Sequence, residues 1–268
     1  MTGTDFEYDG QYLKNWGCMI CYTDVSSNFE TLDYAAQRTF DSISQHYGKK
    51  FALTVSYYEN RIEVSFQICK YICNTQMTYF TPNEIRELRR WLGRPKYHKF
   101  KLIQPNWSDY YLNGSFNISE LQFGGKTYVL ELNFVSDSPF IKHEPIKQII
   151  EINDPQKDKY TFFDISDEIG YIYPDVEIEC LADGDLDIYN SNEDRHTIIK
   201  NCSNGEKITF TDNFIMETSM PSHKIQNDFI NYNFFRISNS YESRKNIISS
   251  SIPVRITFVY SPYVKVVL

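Results

Sequence analysis

One short stretch of this chain has helical periodicity, and nearly everything around it alternates at the period of a β-strand. Residues Thr81 to Gly93 read TPNEIRELRRWLG. Thr81 is placed to cap the N-terminus, Pro82 to take the first helical position, and Glu84 to reach back to the cap. Ile85, Leu88 and Leu92 fall with Trp91 on one face, and Gly93 can close the C-terminus. A lone amphipathic helix has no helical neighbour for its apolar face, so it must lie on a sheet. The chain is therefore predicted to be mainly β: two β-sandwich domains, the first with one packed α-helix.

Length agrees with two cores. The chain has 268 residues, and a domain of ~130 residues buries roughly two-thirds of its unfolded surface. Aromatic residues make up 16%, with 21 Tyr and 19 Phe, which favours pleated, half-buried surfaces. A net charge of −8 argues against an overall electrostatic grip on nucleic acid. The N-terminus, MTGTDFEYDG, lacks the basic and apolar regions of a signal peptide. No apolar run approaches the ~20 residues that span a bilayer. Synthesis and assembly in the cytoplasm are expected, and the sequons at Asn106, Asn113, Asn117 and Asn201 then carry no glycosylation meaning.

The pattern divides into residues 1–140 and 141–268. In the first part, Phe51, Leu53 and Val55 alternate, as do Ile62, Val64 and Phe66. Tyr58-Glu59-Asn60-Arg61 between them reads as a hairpin turn. His98 to Phe140 reads as four strands punctuated at Pro105-Asn106, Asn113-Gly114 and Gly124-Gly125. Leu130, Leu132 and Phe134 share one face. Between Thr23 and Tyr47 the pattern is weak and polar, as in a projecting loop or arm. A junction rich in proline (Pro139, Pro145, Pro155) leads to the second part. There Val176, Ile178 and Cys180 alternate with Glu177 and Glu179. Leu186 and Ile188 oppose Asp185 and Asp187, and Asn204-Gly205 reads as a hairpin signal.

No catalytic motif stands out. Asp183, Asp185 and Asp187 resemble the start of a calcium loop, but Ile188 and Asp194 fall where an EF-hand needs glycine and glutamate. Asp164, Asp167 and Glu168 could pair for glycoside hydrolysis, at a frequency any acidic chain offers. His46, His98, His143, His196 and His223 are scattered. Cys18-x2-Cys21 and Cys69-x3-Cys73 could supply four thiols to zinc. The gap between the pairs is far longer than a zinc ribbon's, so buried free thiols are the plainer reading, with Cys180 and Cys202 likewise. Arg89, Arg90, Arg94, Lys96, His98, Lys99 and Lys101 form a basic run that reads as a solvated face or a docking surface. No catalytic, cofactor-binding or metal residues are assigned, and no cofactor is expected.

Several stretches resemble the distal tail proteins of siphophages that infect Gram-positive bacteria. They are Tyr8-Asp9-Gly10-Gln11-Tyr12 with Gly17-Cys18-Met19-Ile20-Cys21, the segment Glu84 to Ile103, and Gly114-Ser115-Phe116 with Tyr128 to Phe134. The second part, from DEIGYIYPDVEIEC through NFFRISNSYESRKN, is similar to the C-terminal domains of some members. The resemblance implies a non-enzymatic structural protein of the virion tail. It would form a hexameric hub ring at the end of the tail tube, built by residues 1–140, with a hairpin arm reaching the neighbouring subunit from Asp24 to Tyr47. Residues 141–268 would form a galectin-like sandwich facing outward. The implied partners are further copies of the chain, the tail tube protein, the tail-tip protein and a receptor-binding protein. DNA would pass through the lumen without specific binding, and no membrane is involved.

Two other readings stand beside it. A carbohydrate-binding adhesion module of the tail tip is one, although Trp16, Trp91 and Trp107 all fall in the first part and tyrosine would have to substitute. A tip hydrolase using Asp164 or Glu168 is the other.

Overall fold

A computed structural model describes residues 3–21, 38–44, 52–58, 61–72, 76–211, 213–240 and 242–265. The chain is mainly β and forms two compact units. One comprises Met1–His143 with Val264–Leu268, the other Glu144–Tyr263.

The first unit is built on one long sheet. Its strands run in the order Gln11–Tyr12, Asp5–Tyr8, His98–Ile103, Tyr110–Phe123, Lys126–Ser136, Glu63–Ile72 and Cys18–Cys21. The two ends meet, because the amide of Ile20 donates to the carbonyl of Thr4 at 2.9 Å. The sheet thus folds over on itself and encloses its apolar face. Phe6, Phe66, Phe100, Phe116 and Phe134 fill the interior, with neighbouring ring centroids 4.5–6.1 Å apart. These spacings suit edge-to-face and offset contact. Leu130, Leu132 and Phe134 point inward together and are fully buried.

The helix forms at Pro82–Leu92 with the capping box that its sequence predicts. Thr81 Oγ1 accepts from the Glu84 amide, and Glu84 Oε2 accepts from the Thr81 amide at 2.8 Å. The Gly93 amide donates to the Arg89 carbonyl and closes the last turn. Ile85, Leu88, Trp91 and Leu92 are buried, each apolar side chain contributing roughly 1.5–3 kcal/mol.

Three local readings are corrected. Asn113-Gly114 is no turn: Tyr110–Phe123 runs through it as one strand. A Cβ at Gly114 would collide with the Phe134 ring and the Val135 carbonyl, so this glycine marks a close approach of strands rather than a bend. Ala52–Tyr58 does not pair with Glu63–Ile72. It pairs with Arg38–Ser44, from Arg38 opposite Tyr58 to Ser44 opposite Ala52, while Glu63–Ile72 pairs with Lys126–Ser136. Asn204-Gly205 does not close a hairpin either, because the flanking strands Arg195–Cys202 and Lys207–Phe210 belong to different sheets.

The second unit is a sandwich of two antiparallel sheets. One has five strands in the order Ile146–Ile152, Val254–Tyr260, Asp175–Cys180, Lys207–Phe210 and Met216–Thr218. The other has four, Tyr160–Phe163, Lys245–Ser250, Gly184–Asn190 and Arg195–Cys202. Alternate residues of both face a shared core. Ile150, Val176, Ile178, Ile256 and Phe258 from the first sheet meet Phe162, Leu186, Ile188, Ile199 and Ile248 from the second. The chain's end returns to the other core, where Val264 is buried in the first unit.

Candidate interaction surfaces

The residues singled out for chemistry do not converge. Asp183 Oδ1 accepts from the Asn204 amide at 2.8 Å, Asp185 Oδ1 from the Asn201 amide at 3.0 Å, and Asp187 meets His196 Nδ1 at 2.9 Å. Each carboxylate of the calcium-like run therefore ties down a different piece of loop or strand. Among the described residues no group of three or more His, Cys, Asp or Glu side chains could hold a metal ion. Cys18 and Cys69 are buried and Cys21 half-buried. Burial pushes the thiols of Cys18 and Cys21 up to about 12, which keeps them protonated and inert. Cys73 lies outside the described residues.

Asp164 is 2% exposed. Its Oδ1 accepts from both the amide and the hydroxyl of Ser166. Burial raises its carboxyl above the ordinary range against these bonds. The backbone carbonyl of Glu168 accepts from Asn239 Nδ2 at 3.0 Å. The Asp164 side chain thus braces a strand end.

The basic run is largely matched within the chain. Arg89 meets Glu120 at 2.9 Å and Arg94 meets Asp9 at 2.7 Å. His98 Nδ1 lies 3.3 Å from the same Asp9, and the Lys99 ammonium sits 4.4 Å above the Tyr111 ring. Burial tends to raise the Asp9 carboxyl, but Arg94 and His98 hold it below the usual aspartate range.

Surfaces suited to partners lie elsewhere. Arg38–Ser44 and Ala52–Tyr58 make a two-stranded ribbon that pairs with no other described strand. A ribbon alone is marginal in water and needs a surface to lie on. The rest of the proposed arm, residues 24–37 and 45–47, lies outside the described residues. On the first unit, the turn between Tyr110–Phe123 and Lys126–Ser136 presents Leu121 and Phe123, the latter 83% exposed. Beside it a cleft of about 530 Å³ opens against the start of the helix, lined by Tyr79, Ile85, Arg86, Glu120 and Lys126. Exposed apolar groups gathered in this way mark contact surfaces more often than chance. Sequence reasoning missed this cleft because its walls come from segments far apart in the chain. Among the described residues no helix is long and apolar enough to cross a membrane.

The chain thus combines a helix-bearing folded sheet with a second, sandwich-like β unit. Two family models cover nearly all of it: a phage tail protein N-terminal domain matches residues 1–138, and a phage tail C-terminal domain matches residues 145–260. The chain belongs to this family of phage tail proteins. Its fold is that of a distal tail protein: it is similar to the crystal structure of SPP1 Dit (gp 19.1), described as a paradigm of the hub adsorption apparatus in Gram-positive infecting phages. The TM-score is 0.67 at 12% identity, over 96% of this chain and 98% of that one. No curated protein matches.

Proposed function

We propose that this chain is the hub subunit at the distal end of a siphophage tail. Six copies form a ring that joins the tail tube to the tail-tip and receptor-binding proteins, and DNA passes through the lumen. The role is structural and involves no catalytic step. The observation that carries this reading is the end-to-end match of both units to a hub protein fold. A cyclic assembly needs two different complementary patches on each subunit. The ribbon Arg38–Ser44 with Ala52–Tyr58 supplies one, as the arm laid on a neighbour. Its outer strand edges, which pair with no other described strand, can add to a sheet of the next copy. The Phe123 turn and its adjoining cleft supply a contact surface for the parts above or below the ring. A net charge of −8 favours an acidic lumen along which DNA slides without adhering. Native mass spectrometry with negative-stain imaging of the purified chain tests the proposal. A six-membered ring is expected, and a chain that remains monomeric at high concentration overturns it.

A further inference from the structure

Cys180 and Cys202 meet at a corner of the second unit. Cys180 ends the strand Asp175–Cys180 in the five-stranded sheet, and Cys202 ends Arg195–Cys202 in the four-stranded one. Only residues 203–206 separate Cys202 from Lys207–Phe210, the strand that pairs with Asp175–Cys180. That short link folds back on Cys180. The Cys180 amide donates to the Glu206 carbonyl at 2.9 Å, and the Gly205 amide donates to the Cys180 carbonyl at 2.8 Å. These bonds hold the backbone of Cys180 against the turn that follows Cys202, and the two thiols are hydrogen-bonded to each other. Both side chains belong to the apolar core, Cys180 fully buried and Cys202 3% exposed. Both sulfurs are free thiols.

Contact between sulfurs of opposite sheets is not a routine outcome of sandwich packing. Stacked sheets lie about 10 Å apart, whereas a disulfide needs Cα atoms about 4.4–6.8 Å apart. The corner at residues 203–206, where the chain crosses between the sheets, is where two facing sulfurs can touch. We propose that Cys180 and Cys202 are an oxidative cross-linking site, at which a peroxide converts the pair into a disulfide that fastens the two sheets together. One thiolate attacks a peroxide oxygen and becomes a sulfenic acid, and the hydroxide released takes up a proton and leaves as water. The second sulfur then displaces the sulfenic oxygen as another water, and the S–S bond forms. Each sulfur gives up one proton and one electron, and one hydrogen peroxide is reduced to two waters.

Reaction in the folded chain is slow. The hydrogen bond with Cys180, burial and the Glu206 carboxylate push the Cys202 thiol up, so little thiolate is present to attack. A reducing cytoplasm keeps such pairs as thiols, and the proposed hub would carry this one from that setting to the outside of the cell. That use rests on the hub reading; the bond itself does not. The closed bridge joins positions 22 apart in the chain. It encloses the paired strands Gly184–Asn190 and Arg195–Cys202, and it stabilises by restricting the unfolded chain.

The full chain is incubated in three arms: with dithiothreitol, with a small molar excess of hydrogen peroxide, and refolded from urea in the same peroxide. The refolding arm removes burial as a barrier. Each sample is alkylated, digested without reduction and mapped by mass spectrometry, and its Tm is measured. Linked peptides containing Cys180 and Cys202 are expected in the peroxide arms, with a Tm roughly 5 °C or more above the reduced chain. Cys202→Ala is expected to lose both the linked peptides and that gain in Tm. The proposal is overturned if Cys180 and Cys202 stay alkylated, or join other cysteines, in both peroxide arms. A bridge that leaves Tm no higher than in the reduced chain overturns it too. Should Cys202→Ala fail to fold, the wild-type peptide map decides alone. A chain that cross-links as expected yet never assembles would overturn the hub reading and leave this one standing.

Discussion

The indole N–H of Trp91 donates to the backbone carbonyl of Tyr8 at 3.1 Å. This bond ties the last turn of the helix to the second-outermost strand of the folded sheet. The indole also stacks between Phe6 and Trp16, at 5.8 and 5.4 Å. One side chain therefore sets the helix's height and rotation on the sheet. Trp91→Phe keeps most of the apolar contact but removes the donor, leaving a carbonyl in a site where Trp91 is 4% exposed. A loss of about 1–2 kcal/mol in urea unfolding is expected. An unchanged midpoint would mean that the bond contributes nothing.

Gly114 admits no side chain. A Cβ there would run into the Phe134 ring and, less avoidably, the Val135 backbone carbonyl. The ring is fully buried and cannot swing aside. Gly114→Ala is expected to cost about 3 kcal/mol or more, at the upper end of overpacking. Thermal melts read this directly, and a Tm within a degree of wild type would refute the steric account.

That same residue shows where sequence reading stops. Asn-Gly is a turn signal because both residues tolerate left-handed backbone, yet here the glycine answers a neighbouring strand that lies twenty residues on. The helix was legible because every determinant, from Thr81 to Gly93, is local. The inward faces of Lys126–Ser136 and Asp175–Cys180 were legible because alternation is local too. Pairing is not. Ala52–Tyr58 and Glu63–Ile72 alternate in tandem and look like a hairpin, but their partners are chosen by distant strands. Tyr173 and Phe214 likewise meet only through the fold, and the left-handed backbone at Phe214 has no signature in sequence.

Acid should destabilise the second unit through Glu206, whose side chain is fully buried. Burial tends to raise its carboxyl. Bonds from Thr218 and His223 and from the Ser203 amide prevail, and its folded pKa lies below the ordinary value. A folded pKa below the unfolded one gives stability that is present above the unfolded value, about 4.3 for glutamate. That stability drains away as pH falls through the folded one. Urea midpoints measured from pH 7 to pH 3 should therefore fall in the acid limb, and Glu206→Gln should flatten that limb while lowering the midpoint at pH 7. An acid limb identical in the variant would assign the effect to other carboxylates.

The ribbon gives the sharpest separation of folding from assembly. Among the described strands its two pair only with each other, over seven residues each, and form a sheet of their own. Replacing residues 38–58 with a short Gly-Ser linker removes no strand of the folded sheet and none of the described members of the first unit's apolar core. Loop closure with a linker of that length changes stability by about 1 kcal/mol or less. The variant is therefore expected to unfold with nearly the wild-type midpoint yet to run as a monomer in light-scattering chromatography, against the ring proposed for the wild type. A variant that still forms rings would remove the arm from the assembly contact. One that unfolds near room temperature would show instead that the ribbon stabilises its own subunit.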